Sequence, residues 1–307
     1  KLLFDYPLRQ FRKDGYSKEV KVLQADLPAF DRALQAVVLS QYRRKLFERY
    51  RKPIKPVLLF KSKTIKDSHT FFAEFAQGIK SLKAGHLEQL KRNAARQAGE
   101  QLLFGNKGTY TLHQAFRYFE QEGITLENLV TELQGDFSED KLISVNSKEE
   151  SEQKQLAINS LEDEQNAYRA VFAVDKLNEG WDVLNLFDIV RLYDTRDAKN
   201  GKPGKTTMSE AQLIGRGARY CPFSLEEIQP LDKRKFDEEP DHELRVCEEL
   251  YYHSAYNPRY VQELHTALEE IGMKPSETEE KKQRRTVKTK APVQRKKQEL
   301  TPGLPTA

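Results

Sequence analysis

The chain has 307 residues, 32% of them charged, and a formal net charge of only +4, so charge alone points to no acidic partner. A mean hydropathy of −0.76, no apolar run near the ~18 residues that span a bilayer and no signal-peptide pattern predict a cytoplasmic protein without a membrane segment. Its two cysteines, Cys221 and Cys247, have neither CxxC nor zinc-ligand spacing, which predicts reduced thiols and no metal site.

The first residue is Lys rather than Met, and the chain is read as a fragment of a longer protein. Lys18 to Leu23 alternates as a short strand does. A helix follows, with Asp26 as its cap, Pro28 in its first turn and Phe30, Leu34, Val37, Val38, Tyr42 and Leu46 at helical spacing. Near its end Arg43, Arg44, Lys45, Arg49, Arg51 and Lys52 suit the negative end of the dipole and are read as solvated surface. Val57 to Phe60 is a buried strand, and the next helix starts at Asp67 or Ser68 and carries Phe71, Phe72, Phe75 and Ile79 as core. Between them lie Lys61, Ser62, Lys63 and Thr64. Lysines and hydroxyls at a strand's carboxyl end can hold a nucleic-acid backbone, and an ordinary solvated loop is the alternative.

From about 85 to 135 the pattern is an α-helical insertion, after which Leu142 to Val145 resumes the sheet and Leu156, Ile158 and Leu161 mark a further helix. Val171 to Val174 is an apolar strand that opens into a polar loop ending in Trp181 and Asp182; Phe187 to Asp194 is the next strand. Gly201 to Thr207 has the letters of a phosphate-binding loop, but Lys199 stands where its first glycine belongs and Pro203 removes a backbone donor, so it is read as a connection. Thr207 and Glu210 form a capping box. In the helix so begun, Gln212, Arg216 and Arg219 share one face, suited to a polyphosphate if it is not simply solvated, and Gly215 and Gly217 imply a close approach. Strand, loop, strand, loop, helix is the order of an open α/β sheet whose ligands bind at the carboxyl edge. Ser224 to Asp241 reads as a surface excursion, Glu243 to Tyr252 as a strand, and Asn257-Pro258 as the start of a helix. Residues 274–307 lose their apolar residues and become a basic, disordered tail, a linker or a nucleic-acid-binding arm.

Asn-Glu-Gly-Trp-Asp at 178–182 resembles motif V of superfamily 2 helicases, and Gln212-x-x-Gly215-Arg216-x-x-Arg219 resembles motif VI. With residues 188–196 and 215–220 they resemble specifically the restriction and translocation subunit of type III restriction-modification enzymes. Residues 56–65 are similar to that family's motif IV, and Tyr6 to Phe11 to the connector entering its second motor domain. The resemblance implies a RecA-like, mostly parallel sheet flanked by helices over residues 1–273, the second motor domain of a DNA-dependent ATPase.

It implies that Arg216 and Arg219 act as arginine fingers, that Gln212 positions water or phosphate, and that Gly180, Asp182 and Gly215 lie at the nucleotide. It implies also that Lys61, Ser62, Lys63 and Asn178 face the DNA backbone. The substrate would be ATP with Mg²⁺, its metal ligands supplied by a first motor domain that these residues do not contain. The partners would be double-stranded DNA, that first RecA-like domain and the modification methyltransferase subunits. By itself the chain should not hydrolyse ATP, and no nuclease site is expected in it. Two other readings stay open: a superfamily 2 repair or RNA helicase, and a non-catalytic nucleic-acid-binding module.

Overall fold

A computed structural model of the chain describes residues 6–104, 108–146, 152–174, 181–195, 202–239 and 241–275. The expected tail lies almost wholly outside the described residues, as do Asn178 and Gly180. Residues 1–274 form one compact unit.

Six strands make one sheet: β1 (Glu19–Ala25), β2 (Val57–Lys61), β3 (Leu142–Val145), β4 (Ala170–Ala173), β5 (Leu186–Arg191) and β6 (Glu249–Ala255). Their order is β1-β6-β5-β2-β4-β3, and every neighbouring pair is parallel. Parallel neighbours require crossovers, and helices provide most of them. After α1 (Leu8–Lys13) come α2 (Ala29–Arg49) before β2, and α3 (Ile65–Lys80), α4 (Ala84–Phe104), α5 (Gly108–Gln121) and α6 (Leu126–Asp136) before β3. Next are α7 (Glu152–Asn159) before β4, α8 (Lys205–Gly217) between β5 and β6, and α9 (Pro258–Glu270) after β6.

Strands β2, β4 and β5 are buried at every residue, which is why they read as apolar runs rather than as alternating patterns. Because successive side chains point to opposite faces, Leu58, Phe60, Ala170 and Phe172 join a core built by α2 to α6, with Leu34, Phe75, Leu87, Phe119 and Leu133. Val57, Leu59, Val171 and Ala173 join a second core with Ile158, Ala211, Ile214, Leu264 and Leu268 from α7, α8 and α9. This is the RecA-like layout, a parallel sheet covered by helices on both faces. The helical segment expected as an insertion shares the first core with the sheet.

Several local expectations are corrected. Helix α2 is entered from Pro28, not Asp26; the Pro28 carbonyl accepts the Arg32 N–H at 3.1 Å, and the Arg32 guanidinium satisfies Leu27 O at 2.6 Å. Helix α3 is capped by Thr64, whose hydroxyl accepts the Asp67 N–H, so it starts at Ile65, two or three residues earlier than expected. Only the second half of the strand expected at 243–252 is extended. Residues Glu243–Glu248 form a 3-10 turn, opened by His242, whose ring accepts the Leu244 N–H. Asn257 does cap α9, accepting the Tyr260 N–H at 3.1 Å.

The largest correction concerns Arg43, which is wholly buried rather than solvated. Its Nη1 donates to Asp188 Oδ2 at 2.5 Å and its Nε to Val246 O at 2.9 Å, while the guanidinium lies 4.7 Å from the Tyr251 ring centroid. His253 Nε2 contacts the other Asp188 oxygen at 2.9 Å. Asp188 sits in the middle of the sheet and needs a counter-charge, and position 43 is where α2 crosses β5. The neighbouring Arg44 and Arg49 do pair at the surface, with Glu48 and Glu122. Removing one partner of a buried pair leaves the other uncompensated, so Arg43→Met should lower the unfolding free energy by about 3–5 kcal/mol in urea denaturation. A loss below about 1 kcal/mol would show that Asp188 does not depend on it.

Candidate functional site

Helix α8 begins at Lys205 with Gly204 as its N-cap and no side-chain cap, so the capping box is not formed. Thr207 and Glu210 are instead buried inside the helix. The Glu210 carboxylate accepts from Arg191 Nε at 2.9 Å, from the Tyr260 hydroxyl at 2.6 Å and from the Tyr193 hydroxyl. A buried guanidinium thus claims the acid that would have capped the helix. Burial works against the Arg191 charge, but the Glu210 carboxylate outweighs it and holds the guanidinium above its ordinary pKa.

Gln212 and Arg216 lie one turn apart on α8, the first exposed and the second partly so. Arg219 does not complete that helical face. The helix stops at Gly217 and Arg219 bridges to Ser17, just before β1. There its guanidinium pairs with Asp182. Both side chains are about half exposed, at 47% and 51%, so the pair is open to solvent and of the weakly stabilising kind. The Arg216 side chain has no ion pair or hydrogen bond among the described residues.

The two helix glycines part company. A Cβ on Gly215 would meet Ile271 and Met273 at 3.5 and 3.6 Å, an ordinary contact, whereas one on Gly217 would stand 2.8 Å from Leu186 of β5. The close approach required at Gly217 is therefore to the sheet.

What holds this end of α8 is Lys18, which nothing in the sequence marked out. Wholly buried, its ammonium donates to Leu184 O at 2.6 Å, Arg219 O at 2.7 Å and Gly217 O at 2.9 Å. Its backbone N–H donates to Ala218 O at 2.6 Å. Burial, with Arg43 nearby, lowers the Lys18 pKa to about 8 against the pull of Cys221 and Glu162. Burial also raises the Cys221 thiol to about 11. Leu184 is held from its other side as well, since its N–H donates to Glu162 at 2.7 Å. Trp181 is buried and its indole N–H donates to Ile158 O at 3.0 Å. The segment expected as a free surface excursion contributes too: Arg234 donates to Ser17 O and Arg12 O, and Phe236 is buried.

Residues 17 and 184 precede β1 and β5, so in a parallel sheet the Asp182, Arg216 and Arg219 group gathers at the amino edge. Lys61 ends β2 and Ser62 and Lys63 follow it, at the carboxyl edge. In place of the carboxyl edge expected for ligands, the arginine group lies at the amino edge, so the singled-out residues among those described fall at opposite edges. At the carboxyl edge Lys61 is 4% exposed and Ser62 is buried, because Leu192 N–H donates to Lys61 O and Ser62 N–H to Ala173 O, prolonging the sheet. Only Lys63 of the three faces solvent.

A family model described as the N-terminal region of HI_1054 matches residues 206–277, the segment that contains α8 and its arginines. A Haemophilus influenzae protein named "Probable type III restriction-modification enzyme HindVIP Res subunit" is 32% identical over 221 residues, covering 67% of this chain and 42% of that one. A second H. influenzae protein, named only as uncharacterized, is 46% identical over 84 residues, 27% of this chain and 18% of its own length. Among solved structures, S. cerevisiae Dbp5 bound to RNA and ADP BeF3 superposes with a TM-score of 0.40 and 9% identity, over 93% of this chain and 48% of that one. The chain thus spans less than half the length of these relatives, and by its sequence it belongs with the Res subunits of type III restriction-modification enzymes.

Proposed function

We propose that the chain is the second motor domain of an ATP-dependent DNA translocase, the Res subunit of a cytoplasmic type III restriction-modification enzyme. The observation that carries this reading is the pair of arginines at the amino edge, one without a side-chain partner among the described residues and one paired, among those residues, with a half-exposed carboxylate. Two guanidinium groups so little engaged are available to a polyphosphate, and their planar forks match its oxygens.

In this reading ATP lies between the amino edge and the first RecA-like domain. Arg216 and Arg219 stabilise the negative charge that spreads over the γ-phosphoryl oxygens as the bond to the leaving group breaks. Arg219 exchanges Asp182 for phosphate, and the freed Asp182 turns to the ribose. Gln212, exposed one turn before Arg216, positions water or phosphate, while Gly180 and Gly215 lie along the nucleotide. Mg²⁺, held by residues of the first domain, supplies further neutralisation of the phosphates. The DNA backbone runs along the carboxyl edge past Lys63, with Lys61 and Ser62 supporting that loop from within; Asn178, outside the described residues, is a further proposed DNA contact, and the methyltransferase subunits supply sequence recognition.

In the full-length subunit, Arg216→Ala and Arg219→Ala should each lower DNA-stimulated ATP turnover by about 10³-fold, with Lys restoring little. Unfolding free energy should move by less than about 1 kcal/mol, as for surface substitutions. Near-normal turnover in a well-folded variant would remove the motor assignment.

Lys63→Ala should weaken DNA binding equally for unrelated sequences and reduce the slope of log K against log salt by about 0.9, one phosphate contact. An unchanged slope would take the DNA off this edge.

A further inference from the structure

Lys18 touches no reacting group, yet among the described residues it is the side chain that ties together the backbone on both sides of the Arg219–Asp182 pair. Of the carbonyls it binds, two belong to the end of α8 and the residue bearing the finger, Gly217 and Arg219; the third, Leu184, lies two residues after Asp182. An ammonium has three protons, and all three are used. We propose that Lys18 is a positioning residue for Arg219, its charged ammonium clamping the α8 terminus to the segment that carries Asp182 so that Arg219 is presented at the amino edge. The proposal rests on the motor reading for its effect on turnover, but the clamp itself belongs to the chain alone.

Loss of one proton leaves an amine with two donors for three carbonyls, and one of the three must then give up this partner. The groups facing the ammonium are Arg43 from α2, Glu162 from the segment before β4, Cys221 beyond α8 and the Phe187 ring of β5, whose centroid is 4.9 Å away. Arg43 directs its Nη1 to Asp188 and its Nε to Val246 O rather than to these carbonyls, and Glu162, a carboxylate that accepts from the Leu184 N–H, has no proton to donate. The lowered pKa of Lys18 puts the loss near pH 8.

Between about pH 8 and 10.5 the unfolded chain, with its ordinary lysine, binds more protons than the folded one, so the Lys18 contribution to stability rises with pH over this range. A fall in activity over the same range would therefore not be unfolding caused by this residue.

Two measurements test the clamp. In the first, the chain itself is labelled at lysine Cε and at backbone amides and titrated by NMR. Lys18 and Lys55 should both titrate near pH 8, and the one of these two resonances that is lost in Lys18→Met should carry with it the amide shifts of residues 217–220. In the second, the full-length subunit should show kcat falling about tenfold from pH 7 to pH 9 with KM for ATP little changed, an alkaline limb that reports the ionisation in the bound state. A folded Lys18→Arg variant, charged throughout, should lose that limb. No resonance that both titrates below pH 9.5 and is lost in Lys18→Met, or amides at 217–220 that ignore the titration, would overturn the clamp whatever the chain's activity. An alkaline limb unchanged in folded Lys18→Arg would overturn its link to turnover. Failure of the motor reading appears separately, as normal turnover in Arg219→Ala.

Discussion

A helix that ends against the edge of a buried sheet leaves carbonyls that water cannot reach, and the geometry of the amino edge follows from how this chain satisfies them. At the end of α8 the solution is a lysine just before β1, at the far side of the sequence. Lys18 reaches Gly217 across 199 residues and Leu184 across 166. Once it is in place, Ser17 is set beside Arg219, the turn from Ala218 to Tyr220 is fixed, and the start of β5 is tied to the end of α8. The absent side chain of Gly217 lets that helix end sit directly on Leu186. Arg219 then finds Asp182 because both backbones are already held.

The same economy recurs elsewhere in the sheet. Three arginines that enter the interior bring their counterparts: Arg43 with Asp188, Arg191 with Glu210, and Arg169 with Asp136. Such pairs stabilise little compared with apolar packing, but breaking one is costly, so they fix which helix face meets which strand. The Arg191–Glu210 pair carries Tyr193 and Tyr260 with it and joins β5, α8 and α9. Helix α8 is thereby held at its middle by Glu210 and at its end by Lys18, while its Gln212 and Arg216 remain available.

Much of the architecture was legible because burial writes itself into residue type. Val57 to Phe60 and Val171 to Val174 are apolar on consecutive residues only because helices cover both faces, and Phe71, Phe75 and Ile79 recur at the spacing of one helix face. Asp182 and Arg219, singled out separately, stand together across 37 residues. What could not be read were the charged residues that go inside. Lys18 and Arg43 look like surface residues in any local window, and their partners lie far along the chain. The capping box failed for the same reason: Thr207 and Glu210 have the right spacing, but a distant arginine has the stronger claim on the acid. The division of the site between the two edges was hidden as well, since sequence order says which strand a loop follows but not how far the chain has crossed the sheet.

With arginines at one edge and Lys63 at the other, the sheet itself becomes the link between nucleotide and nucleic acid in the proposed motor. Loop movements at one edge would be transmitted through strands β2 and β5, which are hydrogen-bonded neighbours. The most direct test of the account is a structure of the full-length Res subunit with DNA, ADP and a γ-phosphate mimic. The account predicts the Arg216 and Arg219 guanidinium groups hydrogen-bonded to the mimic, Asp182 released from Arg219, and Lys18 still on its three carbonyls. A mimic bound in the cleft while Arg219 remains on Asp182 and Arg216 faces solvent would contradict it.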